Sequence, residues 1–165
     1  TWERNIARMC KLYELRYKIR PSVAIASKML RNIMYNYRGY GLSMGTMVAG
    51  WDTTGAHLYY VDDDGSRYEG KLFSVGSGST FAYGVLDSHY SFDMEKEDAV
   101  ELGRKAIYHA THRDAYSGGC LRVYHVHEGG YTKIYDGEDV NKVHYEEAEK
   151  KGMIGDGAEK EENII

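Results

Sequence analysis

Apolar side chains recur at three- and four-residue steps from Ile6 to Tyr37 and then give way to a run of small and apolar residues from Leu42, so the chain opens on helix and passes into strand. The first helix is predicted over Trp2–Lys18, with Ile6, Met9, Cys10, Tyr13 and Tyr17 on one face. Pro21 stands where a helix start tolerates it, and Val23, Ala26, Leu30, Ile33, Met34 and Tyr37 carry a second helix to a stop at Gly39. Strands follow over Leu42–Trp51, Leu58–Val61 and Arg67–Val75, with turns at Gly55 and at Asp63-Asp64-Gly65. Gly76–Ser79 ends the strands and starts a helix near Thr80–Leu86. A longer helix is predicted over Lys96–His112, capped by Asp93, with Ala99, Leu102, Ala106, Ile107 and Ala110 facing inward. Leu121–Val126 and Tyr131–Tyr135 form a hairpin about Glu128-Gly129-Gly130, and Glu138–Lys150 suits a last helix.

Strands grouped in runs between grouped helices predict an α+β fold built on antiparallel sheet, not alternating units around a parallel one. One domain is expected over residues 1–150, followed by an acidic flexible tail over 151–165.

The charge distribution changes this picture little. Of 25 acids and 21 bases, seven and three fall in Glu146–Ile165, leaving 18 of each elsewhere, so the net charge of -4 belongs to the tail. A neutral body without a basic stripe argues against nucleic acid as a partner. No stretch approaches the roughly 18 apolar residues of a membrane span. The first residues have no signal-like apolar run, and a location in cytoplasm and nucleus is expected. Cys10 and Cys120 lie far apart and read as buried thiols. The chain holds 16 tyrosines against three phenylalanines, which predicts large protein contact surfaces.

Several patterns suggest chemistry and fall short of it. Asp62, Asp64 and Ser66 begin like a calcium loop, but Arg67 and Phe73 stand where glycine and glutamate are needed. Gly76-Ser77-Gly78 lacks the third glycine of a dinucleotide fingerprint and the lysine of a P-loop. His125 with His127, or His109 with His112, lack the further ligands a metal requires, so no metal and no cofactor are expected. Cys120 follows two glycines and reads as a small core residue at a strand start, with no base in sequence to activate it. Arg113–Gly119 differs from these: it leaves a helix and places Asp114 and Ser117 three residues apart in a glycine-ended loop. Spacing alone leaves two readings open there, a self-satisfied turn or a functional carboxylate–hydroxyl pair.

The same segment, with Gly41–Thr46, Tyr59–Asp62, Ser74–Ser79 and Ala82–Asp87, resembles the proteasome beta subunits of the chymotrypsin-like type-5 class. The matches run in order from Trp2 to Val126, and Trp2-Glu3-Arg4, Cys10 and Tyr13-Glu14-Leu15-Arg16 match the first helix of that class. The resemblance implies the four-layer αββα sandwich of the N-terminal nucleophile hydrolases, here without its N-terminal strands. It implies a threonine-type endopeptidase that cleaves unfolded or ubiquitin-targeted proteins after hydrophobic residues. Its partners would be other beta and alpha subunits in stacked heptameric rings, with polypeptide substrates. In that family a threonine hydroxyl attacks the scissile carbonyl and the threonine's own amine takes the proton.

That threonine precedes the part matched here, so Thr1 is not its counterpart and the chain alone is expected to be inactive. By match, Ser77, Asp114 and Ser117 surround the threonine amine as a supporting shell. The alternative is a non-catalytic structural beta subunit, which has no chemical need for all three.

Overall fold

The computed structural model describes residues 2–150 and 152. The acidic tail expected from residue 151 onward lies outside them, apart from Gly152. Among the described residues two compact units are distinguished, residues 2–76 with 124–132 and residues 77–123 with 133–150.

In the first unit, α1 (Trp2–Tyr17) and α2 (Val23–Asn36) precede the antiparallel strands β1 (Gly45–Asp52), β2 (Gly55–Asp62) and β3 (Arg67–Glu69), ordered β1-β2-β3. Ser22 caps α2 by accepting the Ile25 N–H at 3.2 Å, so Pro21 lies before the cap and not inside the helix. β1 and β2 pair from Gly45 opposite Asp62 to Asp52 opposite Gly55, which closes a two-residue turn. Leu30, Met34 and Val61 form the core, with Trp2, Ile6, Ile33, Leu42, Met44 and Val48 packed against it.

Gly50 lets the start of α2 approach β1: a Cβ there would lie 2.7 Å from Val23 Cγ2. The end of β1 is tied to the same point, since the Val23 N–H donates to Asp52 Oδ2 at 3.0 Å. β3 is shorter than the strand expected over Arg67–Val75. Gly70 makes the last bond, to the Leu58 carbonyl at 3.0 Å. The chain then folds back until a Cβ on Gly70 would lie 2.6 Å from Phe73, whose ring meets Tyr60 at 5.8 Å.

The second unit holds α3 (Ser79–His89), α4 (Lys96–Arg113) and α5 (Val140–Lys150), whereas the second sheet, the hairpin of β4 (Cys120–His127) with β5 (Gly130–Asp139), has its turn end, residues 124–132, in the first. Small residues let α3 and α4 pack closely: Ala82, Ala106 and Ala110 are buried together, with Val85 and Leu86 against them. Two expectations for α4 fail. Its N-cap is Glu95 and not Asp93, because Ser91–Met94 is already a turn, with the Met94 N–H reaching the Ser91 carbonyl. Of the residues expected inward, Ala99 and Ile107 are exposed, and the inward positions go instead to Tyr108 and Arg104. Tyr108 meets His144 Nδ1 through its hydroxyl at 2.9 Å. Arg104 reaches Glu101, Glu138 and Glu146 at 3.0 to 3.2 Å, with its guanidinium 4.8 Å from the centre of the Tyr135 ring.

Cys120 is also exposed, against the expectation of a buried thiol, because strand alternation points its neighbour Leu121 inward; Cys10 is half-buried. The mixture of antiparallel strands and separate helices is the α+β class expected.

Candidate active site

All three residues singled out in sequence, Ser77, Asp114 and Ser117, meet in the second unit. α4 ends at Asp114, whose backbone N–H still closes the helix on the Ala110 carbonyl at 2.8 Å while its φ and ψ of -96° and 115° turn the chain outward. The Ser117 N–H then bonds the Asp114 carbonyl at 3.1 Å, which folds the loop back over the helix end. That fold brings Ser117 Oγ to 2.5 Å from Asp114 Oδ2. Ser77, just before the start of α3, donates its hydroxyl to the same Oδ2 at 2.6 Å. The other carboxylate oxygen accepts the Tyr116 N–H at 3.3 Å.

Space for this meeting comes from Gly78. A Cβ there would lie 2.9 Å from Ser117 Oγ, 3.1 Å from Ala110 Cβ and 3.2 Å from Asp114 Oδ2. The start of α3 therefore sits directly against the cluster.

Asp114 is only 9% exposed. Its carboxyl is held below its ordinary range, first by the Ser117 hydroxyl, then by the Ser77 hydroxyl, with burial opposing them. The group is thus a carboxylate at neutral pH. With both hydroxyl protons turned toward Oδ2, the two serine oxygens keep their lone pairs outward. A negative charge surrounded by acceptor oxygens suits a protonated or hydrogen-bond-donating amine.

The histidine pairs noted in sequence do not build a comparable site. The rings of His125 and His127 lie 5.2 Å apart, and among the described residues no group of three or more His, Cys, Asp or Glu is placed to hold a metal. A second polar cluster, unnoticed in sequence, lies in the first unit. His57 there bonds Glu69 Oε1 at 2.6 Å and Thr54 Oγ1 at 2.7 Å, and Thr54 in turn donates to Asp52 Oδ1 at 2.6 Å. Asp52-Thr53-Thr54-Gly55 could have signalled its near half as a side-chain-capped turn, but nothing local announces Glu69.

The profile described as proteasome subunit matches residues 1–126, and the chain belongs to the proteasome subunit family. Its α+β strands and helices agree with the N-terminal nucleophile hydrolase fold of that family. Within the family it is similar to "Proteasome subunit beta type-5" of Dictyostelium discoideum, 65% identical over 133 residues that cover 81% of this chain and 49% of that protein. "Proteasome subunit beta type-5-B" of Arabidopsis thaliana is 59% identical over 144 residues, 87% of this chain and 52% of that one. "Proteasome subunit beta type-8" of Canis lupus familiaris is 54% identical over 149 residues, covering 89% and 54% respectively. The chain spans about half the length of the curated relatives it matches.

Proposed function

We propose that this chain is part of a beta type-5 proteasome subunit, a threonine-type endopeptidase, and that Ser77, Asp114 and Ser117 hold the α-amine of its nucleophilic threonine. The observation that carries this reading is the convergence of two hydroxyls from separate segments on one oxygen of a buried carboxylate. On this reading the threonine belongs to a part of the subunit other than the residues described here.

In the reaction, the threonine hydroxyl oxygen bonds to the scissile carbonyl carbon while its proton passes to the threonine amine. The resulting ammonium faces Ser77 Oγ and Ser117 Oγ, which accept its N–H groups, and the Asp114 charge balances its own. The ammonium then gives its proton to the leaving amine as the peptide C–N bond breaks. The residues of this chain fix the position of the amine and stabilise its charged form; they do not touch the substrate. Substrates on this reading are unfolded or ubiquitin-targeted polypeptides, cut after hydrophobic residues, in rings of beta and alpha subunits in cytoplasm and nucleus.

The test uses particles that contain the full-length subunit. A threonine-directed epoxyketone should label that subunit and block hydrolysis of a chymotrypsin-type fluorogenic peptide, whereas residues 1–165 alone should show neither. Epoxyketone-sensitive turnover by the 165-residue chain would overturn the assignment.

A further inference from the structure

Away from the Asp114 cluster, the first unit carries an open cavity of about 510 Å³ between α2 and the turn from β2 to β3. Four cations line it, Lys28, Arg31, Arg38 and Arg67, against one carboxylate, Asp64. Arg38 meets Asp64 at 3.4 Å, with both side chains more than half exposed. The other three form no ion pair among the described residues. Arg31 Nε donates instead to the Gly65 carbonyl at 2.9 Å. Arg67 donates to Ser27 Oγ at 2.8 Å and to the Ala24 carbonyl at 3.3 Å. The other acids of the turn are engaged by backbone donors: Asp62 accepts the Asp64 and Ser66 N–H groups, and Asp63 accepts that of Met44.

The guanidinium groups of Arg31 and Arg67 are thus anchored by neutral oxygens with donors left over. Arg31 also lies over the Tyr35 ring at 5.0 Å and Arg67 over the Tyr59 ring at 4.3 Å. Glu69 offsets part of the Arg67 charge, so Lys28 and Arg31 carry most of the unpaired positive charge of the trough. A guanidinium fork matches a carboxylate, and anchoring it beforehand lowers the ordering cost of binding. The cavity is a trough, not an enclosure, and exposed Tyr35 and Tyr68 rim it. Tyrosine and arginine at an open, charged trough fit a polypeptide laid across it better than a small anion sealed within it.

We infer that this trough receives a carboxylate-rich segment of a partner polypeptide, with two or more Asp or Glu residues. The inference rests on the assembly reading above and names the chemistry of one contact within it.

A benzophenone side chain placed at Tyr68 of the full-length subunit, irradiated in purified particles, tests it. The captured peptide should contain clustered acids, and Lys28→Glu with Arg31→Glu should lower its yield about tenfold or more. Lysines placed at the captured acids should restore the yield. Lys28→Gln with Arg38→Gln keeps the test open should charge reversal block assembly.

Capture of segments without clustered acids, or a yield indifferent to these variants, refutes the inference alone. So does capture of no polypeptide while inorganic triphosphate binds the particles and is lost in the reversal variant. A wild-type full-length subunit that never enters a high-mass particle refutes the assembly reading and this inference with it.

Discussion

Gly78→Ala isolates the closeness of α3 to the Asp114 cluster. The φ of -83° and ψ of 1° at Gly78 suit any L residue, so the glycine is required for space and not for backbone freedom. The added methyl would meet Ser117 Oγ at 2.9 Å and Asp114 Oδ2 at 3.2 Å, against an ordinary carbon contact of about 3.5 Å or more. Relief requires a shift of a few tenths of an ångström, and the third neighbour, Ala110 Cβ at 3.1 Å, cannot move without the buried contact of α4 with Ala82. Overpacking of this kind costs about 1–3 kcal/mol. Because misplacement of a reacting group by about 1 Å can cost about 100-fold in rate, a shift of a third of that predicts a loss of about fivefold.

Thermal unfolding of the subunit and peptide turnover by assembled particles measure the two effects. Gly84→Ala on the same helix is the control. A Cβ there meets nothing within 4 Å, and activity should be unchanged with a small gain in stability. Gly78→Ala particles with parental turnover and parental melting would refute the reasoning.

Two further predictions concern clusters outside the site. Arg104→Met removes a guanidinium whose side chain is 8% exposed and leaves Glu138, 12% exposed, without its two bonds; it should destabilise the protein by about 3 kcal/mol, read as a lower urea midpoint. Restored stability in Arg104→Met with Glu138→Leu would place the cost in the stranded carboxylate. His57 is raised above its ordinary value, chiefly by its bond to Glu69, while Asp52 is held down to about 2, chiefly by the Thr54 hydroxyl. The His57 contribution is therefore full below pH 6.5 and lost as pH rises through the raised value. That of Asp52 is present above its ordinary carboxyl range and lost as pH falls toward 2. NMR titration of the His57 ring should give a midpoint above 6.5 that falls in Glu69→Gln, and a midpoint at or below 6.5 would dismiss the cluster.

What could be read in the sequence was what neighbours along the chain decide. Apolar runs on either side of Gly55 located β1 and β2, although the chain reverses one step earlier and Gly55 already pairs with Asp52, and the three- and four-residue steps located α1 and α2. The errors came where distant contacts decide. β3 stops at Gly70 because Phe73 folds back toward Tyr60, a preference no local pattern carries. Arg104 is inward because Glu138 and Glu146 await it, partners that nothing beside it in sequence announces, and Ile107 lies outside. Cys120 was legible and misread, since its alternation with Leu121 already placed it outside. For the site, Asp114 and Ser117 were visible as a pair whose spacing could not separate a turn from a function. Ser77 lies 37 residues before Asp114 in sequence, and only family resemblance joined it to them. Gly78, whose missing side chain admits the cluster, carried no signal beyond lying in a glycine-rich run.

The most direct measurement is the turnover of particles carrying Asp114→Asn in the full-length subunit, with assembly and epoxyketone labelling checked on the same preparation. Asparagine keeps the shape but removes the charge, and it replaces one acceptor oxygen of a carboxylate that takes three hydrogen bonds. If Asp114 holds the amine network, kcat for the chymotrypsin-type peptide falls about tenfold or more with KM little changed, a barrier increase of about 1.4 kcal/mol. Fully assembled Asp114→Asn particles with parental kcat would show that the carboxylate only closes its own turn.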